Sequence, residues 1–285
     1  MALLKKDGTL SDIVIAEFMD AAAVEGLAAD FAVLNDPKLV DRPEALLTAV
    51  AGARALIVRN RTQVRGALLD AAISLQAVGR LGVGLDNIDV AACEARGIAV
   101  LPAIGANDVS VAEYVIAGLL MALRGAYGAS DAVRAGEWPR ERSIGREAAG
   151  TTLGLIGFGG IARAVARRAA ALEMRVIGHD PFLADDDPAW TEYRVAPVSF
   201  DRLLAEADAV SLHVPLTDAT RHLIDAAALA AMRPGGVLIN AARGGVVDEA
   251  ALAGSLRAGT LGGAMLDVFE REPLPANAGF DGVPN

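Results

Sequence analysis

The sequence predicts an α/β fold carried on two parallel sheets, and three observations predict it. Between residues 151 and 181 an apolar run, Leu153–Ile156, enters Gly157, Gly159 and Ala162 at the spacing G-x-G-x-x-A, followed by a helical stretch and a second strand, Arg175–Gly178. Before residue 106, short apolar runs alternate with helical patterns. After residue 181 the same alternation resumes and continues to Val268. Repeated strand–helix units of this kind give parallel sheets covered by helices.

Taken in order, Ile13–Ala16 reads as a strand, Ala21–Ala29 as a helix, Phe31–Leu34 as a strand and Pro43–Val50 as a helix opened by its proline. Ala55–Val58, Leu75–Val78 and Ile98–Leu101 follow as strands. Residues 107–126 form a helix that is apolar on nearly every side, started by the capping box Ser110–Glu113, and a helix this apolar is expected to be buried. The polar stretch Gly136–Ala149 leads into the glycine motif, and the acidic run Asp185–Asp187 reads as a solvated turn. Ala209–Val214 is a strand, Asp225–Met232 a helix and Val237–Ala241 a strand. Asp248 caps the next helix, Gly259 stops it, and Gly263–Val268 is the last strand. The domain boundary is expected near residue 106, giving domains 1–106 and 107–285.

The glycine motif has a specific chemistry. Gly157 permits a tight turn, Gly159 lets backbone approach a pyrophosphate, and small Ala162 allows close helix–strand packing. The N–H groups at the start of the following helix, with its positive dipole end, receive the phosphates. In its helix, Ile161, Ala164, Val165, Ala169 and Leu172 share one face while Arg163 and Arg167 lie on the other. Asp180 closes the second strand, where its carboxylate can accept hydrogen bonds from the adenosine ribose and repel a 2′-phosphate. Pro181, Phe182 and Leu183 follow, without a nearby arginine, so NAD is expected rather than NADP. Such ligands lie beyond the carboxyl ends of the strands, where His213, Arg243 and Asp267 also fall.

Composition excludes several other classes. The 285-residue chain is long enough for two domains, and its net charge of −10 disfavours nucleic acid or an anionic membrane as partner. The single cysteine, Cys93, excludes an internal disulfide and suits a reducing, cytoplasmic setting; on a predicted helix it reads as a packed small residue. The first apolar run is too short for a signal peptide, and Tyr114–Leu123 is about half a membrane span. The expectation is a soluble protein.

The strings GRLGVGLDNIDV (from Gly79), SVAEYV (from Ser110), GLIGFGGIA (from Gly154), HDP (from His179), SLHVPLT (from Ser211), INAARGGVVDE (from Ile239) and MLDVFEREPL (from Met265) extend over nearly the whole chain. Together they resemble the D-2-hydroxyacid dehydrogenases, with a phosphoglycerate dehydrogenase-like branch nearest and sulfolactate and hydroxypyruvate dehydrogenases close to it. The resemblance implies two Rossmann-like or flavodoxin-like domains with the active site in the cleft between them, and a homodimer associating through helix 107–126. It also implies direct hydride transfer between the nicotinamide and C2 of a small 2-hydroxy or 2-oxo acid, without a metal.

In that likeness Arg243 pairs with the substrate carboxylate and polarises the C2 oxygen, a task suited to a planar, permanently charged guanidinium. Glu272 matches the carboxylate that raises the pKa of a proton-shuttling histidine. Substrate contacts are expected from Arg59, which matches an anion-binding arginine, from the Val83–Gly84 loop and from Asn107. A solvated Arg59, a plain tight turn at Val83 and Gly84, and a helix-start role for Asn107 are the alternatives. Coenzyme contacts are expected from Gly157, Gly159, Gly160, Ile161, Asp180 and Pro181. Others are expected from His213, Val214, Pro215, Ala241, Ala242 and Asp267, the last accepting a hydrogen bond from the nicotinamide amide. Arg61 and Arg80 receive no role.

The chain departs from the pattern in two places. Gly160 stands where the family usually has arginine, so one phosphate contact is missing unless Arg163 supplies it. The family's histidine follows a segment resembling Val283, Pro284 and Asn285, where this sequence stops, while His179, His213 and His222 match other positions or none. A chain lacking its C-terminal segment is therefore expected, one that binds NAD but catalyses poorly. The alternative is a non-catalytic NAD(H)-sensing interaction protein of the same fold.

Overall fold

The structure, a computed structural model, describes residues 11–276 and 278–283. Pro284 and Asn285, which end the segment compared with the family's pre-histidine string, lie outside the described residues. The chain divides into two compact units at Asn107 and Asp108, each with its own sheet.

In the first unit the elements are β1 (Ile13–Ile15), α1 (Ala21–Ala28), β2 (Val33–Asn35), α2 (Pro43–Val50), β3 (Ala55–Val58), α3 (Ala67–Ala71), β4 (Ala77–Arg80), α4 (Val90–Ala95) and β5 (Ala99–Pro102). All pairings are parallel, in the order β2-β1-β3-β4-β5, the flavodoxin-like arrangement with its switch point between β1 and β3. Val14, Leu56, Val58 and Val78 are fully buried in its core with Leu39, Val50 and Cys93. Cys93 is thus a packed residue, and burial pushes its thiol pKa up, away from reactivity.

The second unit contains α5 (Asp108–Arg124), α6 (Ser130–Arg134), β6 (Thr152–Ile156), α7 (Gly160–Ala171), β7 (Arg175–His179), α8 (Pro188–Glu192), β8 (Ala196–Pro197), α9 (Phe200–Glu206), β9 (Ala209–Leu212), α10 (Ala226–Ala231), β10 (Gly236–Asn240), α11 (Glu249–Arg257) and β11 (Leu261–Leu266). Its six parallel strands run β11-β10-β9-β6-β7-β8, which is the Rossmann order with the switch point between β6 and β9. One core cluster joins α5 and α7 to the sheet, with Phe158 stacked on Trp190 at 4.3 Å between ring centroids; another holds Leu203, Leu229 and Leu252.

Three expectations are corrected. Ser110 does not start α5, which begins at Asp108, so Ser110 lies inside the first turn and Glu113 pairs with Arg168 of α7 instead. Nor is α5 buried all round: Ala112, Val115, Gly118, Leu119 and Leu123 face the core, whereas Val109 and Met121 are exposed. Asp187 is more than a solvated turn residue, since its side chain caps α8 by accepting the N–H of Ala189 at 2.8 Å. Predicted strands slip by up to two residues, as at Leu75–Val78 against β4, because Leu75 is buried before the ladder begins. Hydrophobicity reports burial; pairing alone defines the strand.

Candidate functional site

At the switch point of the second unit, Gly157 leaves β6 with φ +86°, and its N–H donates to the carbonyl of His179 at 2.8 Å. A Cβ there would stand 2.5 Å from the carbonyl oxygen of His213, so the ends of β6 and β9 meet at a distance only glycine allows. Gly159 then caps α7 without any side-chain hydrogen bond to the first-turn N–H groups, and a Cβ on it would meet open space. Asp180 binds the turn from the end of β7: one carboxylate oxygen accepts the N–H of Phe158 and the other that of Phe182, both at 2.9 Å. Pro181 is exposed beside it. Ile161 packs into the core, leaving its backbone as the part able to face a ligand.

Gly160 has a distinct neighbour. A Cβ on it would lie 2.2 Å from Oδ2 of Asp108, the first residue of α5. Arg163 does not replace a side chain there; its Nε donates to the carbonyl of Phe158 at 3.0 Å and its guanidinium lies over the Phe158 and Tyr193 rings.

The neighbouring strand ends carry the other expected groups of this unit. His213 follows β9, its Nε2 2.9 Å from Ser211 Oγ; part of its edge reaches solvent, yet burial lowers its pKa to about 4, so the ring is neutral at physiological pH. Val214 and Pro215 continue from it. After β10, the buried Asn240 fixes the turn holding Ala241 and Ala242, accepting the N–H of Ala242 at 3.1 Å and donating to the carbonyl of Arg243 at 2.9 Å. Gly244 lies where a Cβ would collide with the carbonyl of Phe269, which brings Arg243 beside the loop after β11. Asp267 heads that loop, donating its N–H to Asn240 and accepting the Tyr114 hydroxyl; burial, then the charge of Asp267 and this bond, raise the Tyr114 pKa. The Glu272 carboxylate turns back on its own loop and accepts the N–H of Phe269 at 3.1 Å.

In the first unit the expected residues follow β3 and β4. The buried carboxylate of Glu17, just beyond β1, accepts the N–H groups of Arg59 at 2.9 Å, Thr62 at 3.0 Å and Arg61 at 3.2 Å. The buried amide of Asn87 donates to the carbonyls of Arg59 at 3.0 Å and Thr62 at 2.7 Å. The Arg59 guanidinium is exposed and has no partner among the described residues, whereas Arg61 pairs with Asp41. Val83 is exposed beyond β4, and Arg80 folds over Gly82 of that loop, its Nη1 donating to the carbonyl of Leu81. Asn107 carries a buried Oδ1 with no hydrogen-bond partner among the described residues, an acceptor suited to a ligand donor. Glu17, Asn87 and Asn240 escaped the sequence reading; for Glu17, a carboxylate just past the buried strand β1 was a usable signal.

Among the described residues no cluster of His, Cys, Asp or Glu could hold a metal, and no helix is long and apolar enough to cross a membrane. The dinucleotide cradle, by contrast, fits its ligand: an uncapped helix start, open space at Gly159 and a carboxylate at the end of β7.

Comparison with known proteins agrees with this geometry. Residues 116–285 match the family model of the D-isomer specific 2-hydroxyacid dehydrogenase, NAD binding domain. The chain is 60% identical over 274 residues to an (S)-sulfolactate dehydrogenase of Chromohalobacter salexigens, covering 96% of this chain and 88% of the relative. It is 43% identical over 230 residues to a D-3-phosphoglycerate dehydrogenase of Archaeoglobus fulgidus, covering 81% of this chain and 43% of that protein. A crystal structure of a glyoxylate reductase from Paecilomyes thermophila superposes with a TM-score of 0.82 at 33% identity, over 95% of this chain and 84% of that one. This chain therefore belongs to the D-isomer-specific 2-hydroxyacid dehydrogenase family, and its cofactor is NAD.

Proposed function

We propose that the protein transfers a hydride between nicotinamide and C2 of a small D-2-hydroxy acid bearing a second anionic group, sulfolactate-like or 3-phosphoglycerate-like. The observation that carries this reading is the set of groups on the strand ends of the second unit: the glycine turn, Asp180, His213, Arg243 and Asp267. The identity with a sulfolactate dehydrogenase supports the anionic substrate. NAD, when bound, supplies the hydride acceptor or donor.

The chain's own residues divide the remaining work. Residues 107–285 hold the coenzyme, and residues 1–106 hold the substrate together with Asn107 and Arg243. Gly157, Gly159, Gly160 and Ile161 offer backbone to the pyrophosphate, Asp180 and Pro181 take the adenosine ribose, and Val214, Pro215, Ala241 and Ala242 line the coenzyme with the neutral His213. Asp267, oriented by Tyr114, accepts a hydrogen bond from the nicotinamide amide. Arg243 binds the substrate carboxylate and draws electron density from the C2 oxygen, which favours hydride arrival at C2 in the reductive direction. Arg59, on its clamped backbone, takes the second anion; Val83, Gly84 and Asn107 add hydrogen bonds.

Glu272 is the carboxylate assigned to orient the proton-transfer imidazole. In this reading His179, which bonds to the carbonyl of Val198, His222, which pairs with Glu270, and His213, which contacts Ser211, are not assigned as that imidazole. Self-association through α5 is part of the same reading, supported by exposed Val109 and Met121, and a reducing cytoplasmic setting suits the single buried cysteine.

The test follows NADH oxidation with sulfopyruvate, phosphohydroxypyruvate, hydroxypyruvate and pyruvate. The doubly anionic substrates should give the highest kcat/KM, Arg59→Ala should erase that preference, and Arg243→Ala should lose most of the rate with every substrate. Pyruvate as the best substrate, or full rate in Arg243→Ala, overturns the assignment.

A further inference from the structure

We propose that Asp108 is a built-in competitor of the coenzyme, holding a negative charge against the pyrophosphate-binding turn and thereby setting NAD(H) affinity below what the turn alone would give. The inference rests on the coenzyme site assigned above and deepens it.

The geometry is specific. Asp108 opens α5, and its Oδ2 occupies the space beside Gly160 so closely that a Cβ on residue 160 would lie 2.2 Å away. Gly160 is the first residue of α7, whose cap residue Gly159 provides no side-chain partner for the first-turn N–H groups. One carboxylate thus sits at the start of two helices packed on each other, where both dipoles favour an anion. A pyrophosphate arriving at the first-turn N–H groups of α7 brings a like charge near this carboxylate, closer than the Debye length of about 8–10 Å, so the repulsion survives at low salt and weakens as salt rises. Arg163 is held on the carbonyl of Phe158 rather than on this carboxylate.

Two consequences distinguish this role from a structural one. An acidic residue in the first turn stabilises α5, so removing its charge should lower the Tm of the coenzyme-free protein while tightening the coenzyme. A purely structural residue would move both in the unfavourable direction. The effect should also be confined to ligands that carry phosphate.

The experiment is calorimetric titration of the full chain and its Asp108→Asn and Asp108→Ser variants with NADH, ADP-ribose and adenosine, at low and high salt. Both variants should bind NADH and ADP-ribose about 3- to 10-fold more tightly at low salt, with the gain shrinking as salt rises and adenosine unaffected. Gly160→Ala, which has to displace only the flexible end of the Asp108 side chain, should lower the Tm slightly in the wild-type background and not at all alongside Asp108→Gly, which tests the contact without any ligand. Unchanged or weaker ADP-ribose binding in both Asp108 variants, or an equal gain for adenosine, overturns the proposal while leaving the coenzyme site intact. If the wild-type chain binds neither NADH nor ADP-ribose, the coenzyme reading itself fails and the proposal falls with it.

Discussion

Glu17 holds the backbone of Arg59 across the switch point of the first sheet: its carboxylate, just beyond β1, accepts the Arg59 N–H at 2.9 Å where the chain leaves β3. The second sheet repeats the relationship with different chemistry, the turn at Gly157 closing against His213. Both units therefore fix their loop geometry where strand order reverses. One uses a buried charge, the other a missing side chain.

Glu17→Ala leaves three N–H groups, the buried one of Thr62 among them, without their acceptor and should cost about 2–4 kcal/mol in urea unfolding. Burial alone would raise the Glu17 pKa, but the N–H donors of Thr62, Arg59 and Arg61 outweigh it, and the net direction is below the ordinary value of 4.5. A lowered carboxylate pKa gives stability that is complete above pH 4.5 and lost as pH falls through the native value. Glu17→Gln should flatten that acid limb. If the substrate is the doubly anionic acid proposed above, it should also raise KM more than it lowers kcat, because Arg59 loses its fixed starting point.

His213 acts in a higher pH window and with the opposite charge. Its pKa falls from 6.5 unfolded to about 4 folded, so between those values the unfolded chain binds more protons and stability rises with pH. Acidifying from pH 7 to 5 should cost on the order of 1–2 kcal/mol through this residue, allowing for its partly solvated edge. His213→Gln should remove that segment of the pH–stability curve and leave the limb below pH 4.5. If the curve between pH 7 and 5 is unaltered in the variant, the ring is not held neutral by the fold.

What could be read from residue order was the chemistry written in neighbours. Gly157, Gly159, Ala162 and Asp180 form one continuous strand–turn–helix–strand unit, and the structure assembles it by short-range bonds such as Phe158 N–H to Asp180. The clamp of Glu17 on Arg59, the amide of Asn87 and the approach of Asp108 to Gly160 join residues distant in sequence. No periodicity encodes them, because they depend on which strand ends lie side by side. The error at α5 has another cause: composition showed an apolar helix, but only packing against α7, β10 and β11 decides which residues are covered. Arg61 and Arg59, two residues apart, look alike in sequence; only the fold gives Arg61 a partner in Asp41.

The two glycines of the turn should separate folding from binding. Gly157→Ala must accept φ +86° and place a methyl carbon 2.5 Å from the carbonyl of His213, so either β6 or β9 has to move. A loss of about 2–4 kcal/mol is expected in thermal or urea unfolding, together with loss of NADH binding. Gly159→Ala meets open space and has no left-handed backbone to satisfy, so its Tm should change little. Its methyl group projects into the place assigned to the pyrophosphate, and Kd for NADH should rise by at least about tenfold, or about 1.4 kcal/mol. A Gly159→Ala protein that binds NADH as tightly as wild type would put the phosphates somewhere other than the start of α7, whereas a Gly157→Ala protein with unchanged stability would mean that β6 and β9 do not meet as closely as described.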